Sequence, residues 1–217
     1  MTNAILTNSA ANEEYKCRHY TIEGDGSIKL RGLYAHGTLK VTQTTDEDGR
    51  KTITFKNLQD QTVLTRKVVN PTTFADTYFV IDDYNDLRFV LPPMASAEMT
   101  SIGQSWTKDS APIAKYGYCY DYDIAGNITH KQLPGNVVTY YRYDKTTKPV
   151  LTQDGNQRSE GKWMLHLYDR FGRKSVSALS NDSLSESDID SITNHDLIVL
   201  PLTDRYNFVY FSRLDTL

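Results

Sequence analysis

The sequence has few of the features that mark membrane proteins, nucleic-acid-binding proteins or disulfide scaffolds. Only two cysteines occur, Cys17 and Cys119, and we interpret both as free thiols, since small buried cysteines are common. No apolar run reaches the roughly 18 residues of a membrane-spanning helix. The net charge is −3, from 24 basic and 27 acidic residues, which leaves no basic field for a phosphate backbone. We therefore expect no membrane span and no nucleic-acid partner.

Catalytic and metal-binding constellations are also missing from the sequence. The five histidines are scattered singly, without the spacing of metal ligands. No serine or cysteine lies in a recognisable nucleophile motif. The acidic clusters at 46–49 and 121–123 lack the ligand spacing of an EF-hand, and we interpret them as hairpin turns. We expect no metal, no cofactor and no catalytic residue, and so a chain that is not an enzyme.

A short motif recurs three times in the middle of the chain: an aromatic-rich strand, then Tyr-Asp, then a turn. The aspartates are Asp123, Asp144 and Asp169, and their spacings are 144 − 123 = 21 and 169 − 144 = 25 residues. A period in the twenties is typical of repeat architectures. A unit of this size cannot bury its apolar face alone, so it must stack on its neighbours.

The third copy shows what each residue of the motif does. Residues 163–168 alternate with a period of two, which indicates a strand. The Asp169 carboxylate can accept a hydrogen bond from a backbone N–H two residues on. Gly172 supplies the positive φ that such a turn requires. We therefore predict a β-hairpin, with Tyr168 as the ring on which the neighbouring hairpin stacks.

The other copies vary this pattern. The first keeps a glycine, Gly126, whereas the second has Thr147 and Lys148 where the glycine is expected. We predict a different turn geometry there, with Pro149 on an edge or at a bulge. Two weaker relatives lie upstream, with turn-region aspartates at Asp60 and Asp82. About five units then tile residues 52–179.

These motifs resemble the YD-repeat (RHS/teneurin-like) family, in its bacterial cell-surface and secreted subgroup. The family pattern is roughly aromatic-x-Tyr-Asp-x-x-Gly-Arg. Residues 168–173 match it, and residues 122–127 match it with Asn in place of Arg. The resemblance covers about residues 15–179. It implies a spiral of antiparallel hairpins that encloses a C-terminal toxin or another polypeptide, with a wall that is not catalytic.

We therefore expect an all-β fold of consecutive antiparallel β-hairpins that form a twisted repeat sheet. Residues 1–14 are expected to be a disordered leader, 15–51 an N-terminal β segment and 52–179 the repeats. Residues 180–217 are expected to be a divergent tail or cap, with two closing strands and a short helix capped by Ser185.

The expected function is that of a structural segment of a cell-surface or secreted repeat protein of the toxin-delivery type. Its partners would be the remainder of a larger polypeptide or its C-terminal cargo. Open strand edges also predict self-association. The residues expected to carry this role are Tyr122, Asp123, Gly126, Tyr143, Asp144, Tyr168, Asp169, Gly172 and Arg173.

An alternative is an adhesion or carbohydrate-binding module. Tyr116, Tyr118 and Tyr120 are expected on one face of a strand, and Trp163 lies on a second strand. Exposed aromatic rings in such a row bind glycans by stacking. The competing interpretation is that these rings pack against one another across strands. The sequence leaves both open.

Overall fold

The computed structural model describes residues 2–180, 183–194, 197–201 and 208–212. As predicted, the fold is all-β and consists of antiparallel hairpins, with short helical segments between some of them. The strands are β1 (Thr2–Thr7), β2 (Arg18–Ile22), β3 (Ile28–Leu33), β4 (Lys40–Thr45), β5 (Lys51–Lys56), β6 (Thr62–Asn70), β7 (Thr73–Ile81), β8 (Leu87–Leu91), β9 (Ser105–Trp106), β10 (Tyr118–Tyr122), β11 (Ile128–Gln132), β12 (Thr139–Tyr143), β13 (Pro149–Gln153), β14 (Met164–Tyr168), β15 (Lys174–Leu179), β16 (Leu197–Pro201) and β17 (Phe208–Ser212).

The helical segments are short. They are a 3₁₀ turn (Glu13–Tyr15), α1 (Pro93–Glu98), α2 (Ala111–Tyr116), α3 (Gly155–Ser159) and α4 (Glu186–Asn194). Among the described residues, no helix is long and apolar enough to cross a membrane.

The chain divides into two compact units. The first contains Met1–Tyr120 and Gln132–Asn136, and the second contains Asp121–Lys131 and Val137–Leu217. In the first unit the main sheet has the strand order β1-β4-β5-β6-β7-β8-β10, and a small second sheet has the order β2-β3-β9. All these pairs are antiparallel.

The core of the first unit follows from the period of two in its strands. In β5 the side chains of Ile53 and Phe55 are buried, whereas their neighbours are half-buried. Tyr78 and Val80 repeat this pattern in β7. These residues form one cluster with the small sheet and the two helices, in which Trp106 of β9 is buried. Burial of this apolar face stabilises the unit.

The N-terminal segment is a strand and not a disordered leader. Residues 2–7 pair with β4 along its whole length, from Thr2 opposite Thr45 to Thr7 opposite Lys40. Asn8 then holds the chain, because its buried side-chain amide donates to the Ala35 carbonyl at 2.7 Å and accepts from the Leu39 N–H at 2.8 Å. The expectation of disorder is therefore wrong for this segment.

A buried ion pair lies next to the core of the first unit. Arg66 in β6 donates two hydrogen bonds to the Asp76 carboxylate in β7, at 2.7 and 2.6 Å. The remaining terminal nitrogen of Arg66 donates to the carbonyls of Glu13 and Glu14, at 2.7 and 2.9 Å. A guanidinium with this many partners fixes the position of the 3₁₀ turn against the sheet.

The second unit contains the strands β11-β12-β13-β14, with β15 paired to β14. Strands β16 and β17 form an antiparallel pair in the two stretches predicted as closing strands, and Tyr168 of β14 pairs in parallel with Ile198 of β16. The buried cluster of this unit contains Leu151, Trp163 and Ile189.

Helix α4 begins at the predicted cap. The Ser185 hydroxyl accepts from the Asp188 N–H at 3.2 Å, and the Asp188 carboxylate accepts from the Ser185 N–H at 2.9 Å. This is the reciprocal bonding of a helix N-terminus. Because Ile189 of α4 is buried with Leu151 and Trp163, the described part of the C-terminal segment covers the apolar cluster of the second unit.

We expect Asn8→Ala to lower the free energy of unfolding by about 1–3 kcal/mol, because it leaves the buried N–H of Leu39 without its partner. Chemical denaturation of the full chain measures this. Asn12→Ala is the control, since it removes an exposed hydrogen bond to the Glu14 N–H, and we expect a smaller loss. Equal stability of the two variants would contradict the ordered N-terminal strand.

Candidate functional site

The turn at Asp169 shows how the repeated motif closes a hairpin. The Gly172 N–H donates to the Asp169 carbonyl at 2.9 Å, and the Asp169 N–H donates to the Arg173 carbonyl at 2.9 Å. Oδ1 of Asp169 accepts from the N–H groups of Phe171 and Arg173, both at 2.9 Å. One carboxylate oxygen therefore satisfies two loop amides that have no strand partner.

The same bonds occur at five turns. In each, a side-chain oxygen accepts from the N–H groups two and four residues on, at 2.8 to 3.0 Å. The residues that open these turns are Asn57 and Asp82 in the first unit, and Asp123, Asp144 and Asp169 in the second. The third position after each of them has positive φ.

Two of these turns differ from what the sequence predicts. The turn between β5 and β6 is opened by Asn57, and Asp60 instead occupies the position with positive φ, at 60°. Thr147 occupies that position in the second copy, at φ 63°. Its N–H donates to the Asp144 carbonyl at 3.0 Å, as in the glycine-containing copies. The prediction of a different turn geometry there is wrong.

A β-bulge follows the turn in four of the hairpins. The register shifts by one residue between Phe55 and Lys56, and between Val80 and Ile81. In the third copy of the motif the register shifts at the equivalent position, between Leu167 and Tyr168. In the second copy the shift lies between Arg142 and Tyr143, opposite Pro149, which confirms the predicted bulge. A bulge of this kind increases the local twist of a hairpin.

The motif tyrosines link successive hairpins through their hydroxyl groups. Tyr143 donates to the Ile128 carbonyl at 2.9 Å, and Tyr168 donates to the Pro149 carbonyl at 2.9 Å. The acceptor lies five residues after the turn aspartate of the preceding hairpin in both cases (128 − 123 = 5 and 149 − 144 = 5). The hydroxyl group therefore contacts the backbone of the preceding hairpin, and the Tyr168 ring also has Nζ of Lys148, from the preceding turn, 5.7 Å from its centre. Stacking of a neighbouring hairpin on the tyrosine ring stays a prediction.

The residue after the turn glycine donates to the second carboxylate oxygen. Nε of Arg173 lies 2.8 Å from Oδ2 of Asp169, and Nδ2 of Asn127 lies 3.0 Å from Oδ2 of Asp123. Asparagine in the first copy thus makes the contact that arginine makes in the third. Arg173 fits the family sequence pattern and Asn127 does not, but both side chains donate to Oδ2 of the aspartate that opens their turn.

These hydrogen bonds favour the ionised carboxylates. The backbone N–H of Arg173 is the main cause that holds the pKa of Asp169 below its ordinary value. For Asp123, burial raises the pKa, but the hydrogen bonds from Asn127 and Ala125 together outweigh burial and lower it. The contribution of these hydrogen bonds to the stability of the fold is therefore fully present at a pH above the ordinary aspartate pKa. It is lost as the pH falls through the lowered pKa of the folded state.

The aromatic residues proposed as a ligand-facing row do not share one exposed strand face. Tyr116 is the last residue of α2, whereas Tyr118 and Tyr120 are half-buried residues of β10. Trp163 precedes β14 and is only 6% exposed, because it packs in the apolar cluster of the second unit. Tyr122 ends β10 directly before Asp123.

Exposed apolar side chains lie in the turns instead. Leu58 and Tyr84 occupy two turns of the first unit, and Ile124 and Phe171 occupy two turns of the second. Sequence analysis did not single them out, because a lone apolar residue in a turn carries no pattern. Leu58 and Ile124 lie one residue after the residue that opens the turn, and Tyr84 and Phe171 lie two residues after it.

We expect Thr147→Gly to raise stability and Gly172→Thr to lower it, each by about 1 kcal/mol, because positive φ is unfavourable for a β-branched residue. A Cβ at Gly172 would meet the Lys148 side chain at an ordinary contact distance of 3.4 Å, so backbone conformation is the main cause. Denaturant midpoints of the two variants test this. The same direction of change in both would contradict the shared turn geometry.

We expect Tyr143→Phe and Tyr168→Phe each to lower stability by about 0.5–1.5 kcal/mol, the contribution of one hydrogen bond. Tyr84→Phe is the matched control, since Tyr84 is 86% exposed, and we expect no measurable change. If all three variants unfold at the same denaturant concentration as the parent chain, the hydroxyl link does not stabilise the repeat.

No family model matches the chain, and no curated protein matches it. Among solved structures, a chain in the structure of a Photorhabdus luminescens Tc holotoxin pore is similar, with a TM-score of 0.47 and 12% identity over 83% of this chain and 10% of that chain. The present chain thus spans about a tenth of that chain's length.

Proposed function

We propose that this chain is a non-catalytic wall segment of a YD-repeat (RHS/teneurin-like) protein. The observation that carries the proposal is the coincidence, in successive hairpins, of the same turn, the same bulge and the same tyrosine link. Each element is local, but together they set how one hairpin meets the next. A structure that repeats in this way builds an extended sheet.

The polar groups of the motif support a structural role. Oδ1 of each turn aspartate accepts two amides of its own loop, and the hydroxyls of Tyr143 and Tyr168 donate to backbone carbonyls. Such groups are held in place by the fold and are not directed at a substrate. Among the described residues, no group of three or more histidine, cysteine or acidic side chains is placed to hold a metal ion.

The partner that we propose is a set of additional hairpin repeats in a larger secreted or cell-surface polypeptide, or the cargo that such a wall encloses. In the hairpins opened by Asp123 and Asp144, the carbonyl five residues after the turn aspartate accepts a hydrogen bond from the tyrosine of the following hairpin. The same offset after Asp169 leads to Lys174 (169 + 5 = 174), at the start of β15. No side-chain hydrogen bond to that carbonyl is present within the described part of the chain.

The edge of β15 supports this partner. Five of its six side chains are exposed, and among the described strands only β14 pairs with it. An unpaired edge presents backbone N–H and C=O groups to another strand. The exposed apolar residues of the turns, such as Ile124 and Phe171, provide additional contact area for an enclosed polypeptide.

Glycan binding has less support. An aromatic face that stacks on glycans requires exposed rings. Trp163 is buried, however, and Tyr118 and Tyr120 are half-buried. Saturable glycan binding that is abolished by Tyr120→Ala would nevertheless replace the wall proposal with an adhesion module. A glycan panel on the full chain separates the two functions.

We expect the chain to self-associate through β15, with a light-scattering mass that rises with concentration. Ala178→Lys should shift the mass towards the monomer, because charge on an edge strand disfavours pairing with another chain. Ala125→Lys, in an exposed turn of the same unit, is the control and should not. A monomer at all concentrations, or the same shift in both variants, would contradict the edge proposal.

A further inference from the structure

A cavity of about 260 Å³ lies in the first unit, beside the start of β2, the middle of β7 and helix α1. Its wall is apolar over much of its area, with Leu33, Phe74, Pro93 and Ala97. The side chain of Arg18, the first residue of β2, also lines it. The cavity is distinct from the repeat turns, and the wall function does not use it.

The charges around the cavity do not balance. Asp76 is neutralised by the two hydrogen bonds from Arg66, and Glu13 is paired with Lys16 at 2.5 Å. Arg18 forms no ion pair within 4.0 Å among the described residues. The five charged side chains therefore sum to +1, and the excess cation is Arg18. A cavity with one uncompensated positive charge favours an anion of one charge.

The guanidinium of Arg18 is held in a fixed orientation. Its Nη1 donates to the Ser96 carbonyl at 2.6 Å and lies 3.4 Å from the Tyr20 hydroxyl. The guanidinium carbon lies 5.9 Å from the centre of the Tyr78 ring. Nε and Nη2 make no hydrogen bond among those described. Two donors on one edge of a planar guanidinium match the geometry of a carboxylate.

We propose that this cavity binds a small monocarboxylate with an apolar body, with its carboxylate on Arg18 and its body against Phe74 and Leu33. The inference goes beyond the wall function and does not depend on it. A second carboxylate would be unfavourable, because Asp76 lies on the same cavity wall. The volume is slightly below that of typical drug-sized pockets, so an acid the size of benzoate fits the site.

Calorimetric titration of the full chain with benzoate tests the proposal, with benzamide as the neutral match. We expect saturable binding of benzoate and at least about tenfold weaker binding of benzamide, since a charge-assisted bidentate pair is lost. Arg18→Gln should weaken benzoate binding by a similar factor. Arg31→Gln is the matched control, because Arg31 lies in the adjacent strand β3 and pairs with Glu23 instead.

A second variant keeps the test informative if Arg18→Gln unfolds the chain. Ala97 is an exposed residue of α1 that lines the cavity, so Ala97→Phe should occlude it without removing a buried contact. We expect loss of benzoate binding with an unchanged melting temperature. No benzoate binding, equal affinity for benzamide, or undiminished binding in folded Arg18→Gln or Ala97→Phe would overturn the proposal.

A further arm separates a free acid from a polypeptide C-terminus. The tripeptide Gly-Gly-Phe carries the same kind of carboxylate on an apolar group but adds a charged amine and two peptide bonds. We expect it to bind at least about tenfold more weakly than benzoate, because a cavity of about 260 Å³ has little room for two further peptide units and because the added ammonium group carries the same charge as the excess charge of the site. Tighter binding of the tripeptide than of benzoate would overturn the assignment to a small-molecule acid.

Discussion

A side-chain oxygen that accepts two backbone N–H groups of its own loop is the interaction on which the repeated part of the structure depends. Chain reversal between two strands leaves loop amides without a strand partner, and an unpaired amide is costly when it is not hydrated. Oδ1 of Asp123, Asp144 or Asp169 satisfies two of them at once. The residue with positive φ and the following bulge then bring the chain back into register.

The turn also positions the link between hairpins. Because the turn fixes where the return strand begins, it fixes the position of the carbonyl that accepts the tyrosine hydroxyl of the next hairpin, at Ile128 and at Pro149. The tyrosine and the aspartate are adjacent in sequence but act on different hairpins: the aspartate closes its own, and the tyrosine reaches the preceding one. Nearest-neighbour links of this kind are what make a repeat array extendable.

Sequence reasoning located the hairpins, Gly126, Gly172 and the Ser185 cap, because these follow from local chemistry. It failed where the fold imposes a conformation on a residue that does not prefer it, as at Thr147 and Asp60. It was wrong, or it left alternatives open, where long-range contacts decide. Pairing of residues 2–7 with β4, burial of Trp163 by α4, and the cavity around Arg18 all join residues far apart in the chain, and no local pattern encodes them.

Amide hydrogen exchange within the turns tests the central claim most directly. The N–H groups of Phe171 and Arg173 donate to Oδ1 of Asp169, whereas no hydrogen bond of the Arg170 N–H is present in the described structure. We predict slow exchange at Phe171 and Arg173, fast exchange at Arg170, and loss of the difference in Asp169→Ala. Equally fast exchange of all three amides in the parent chain would contradict the account.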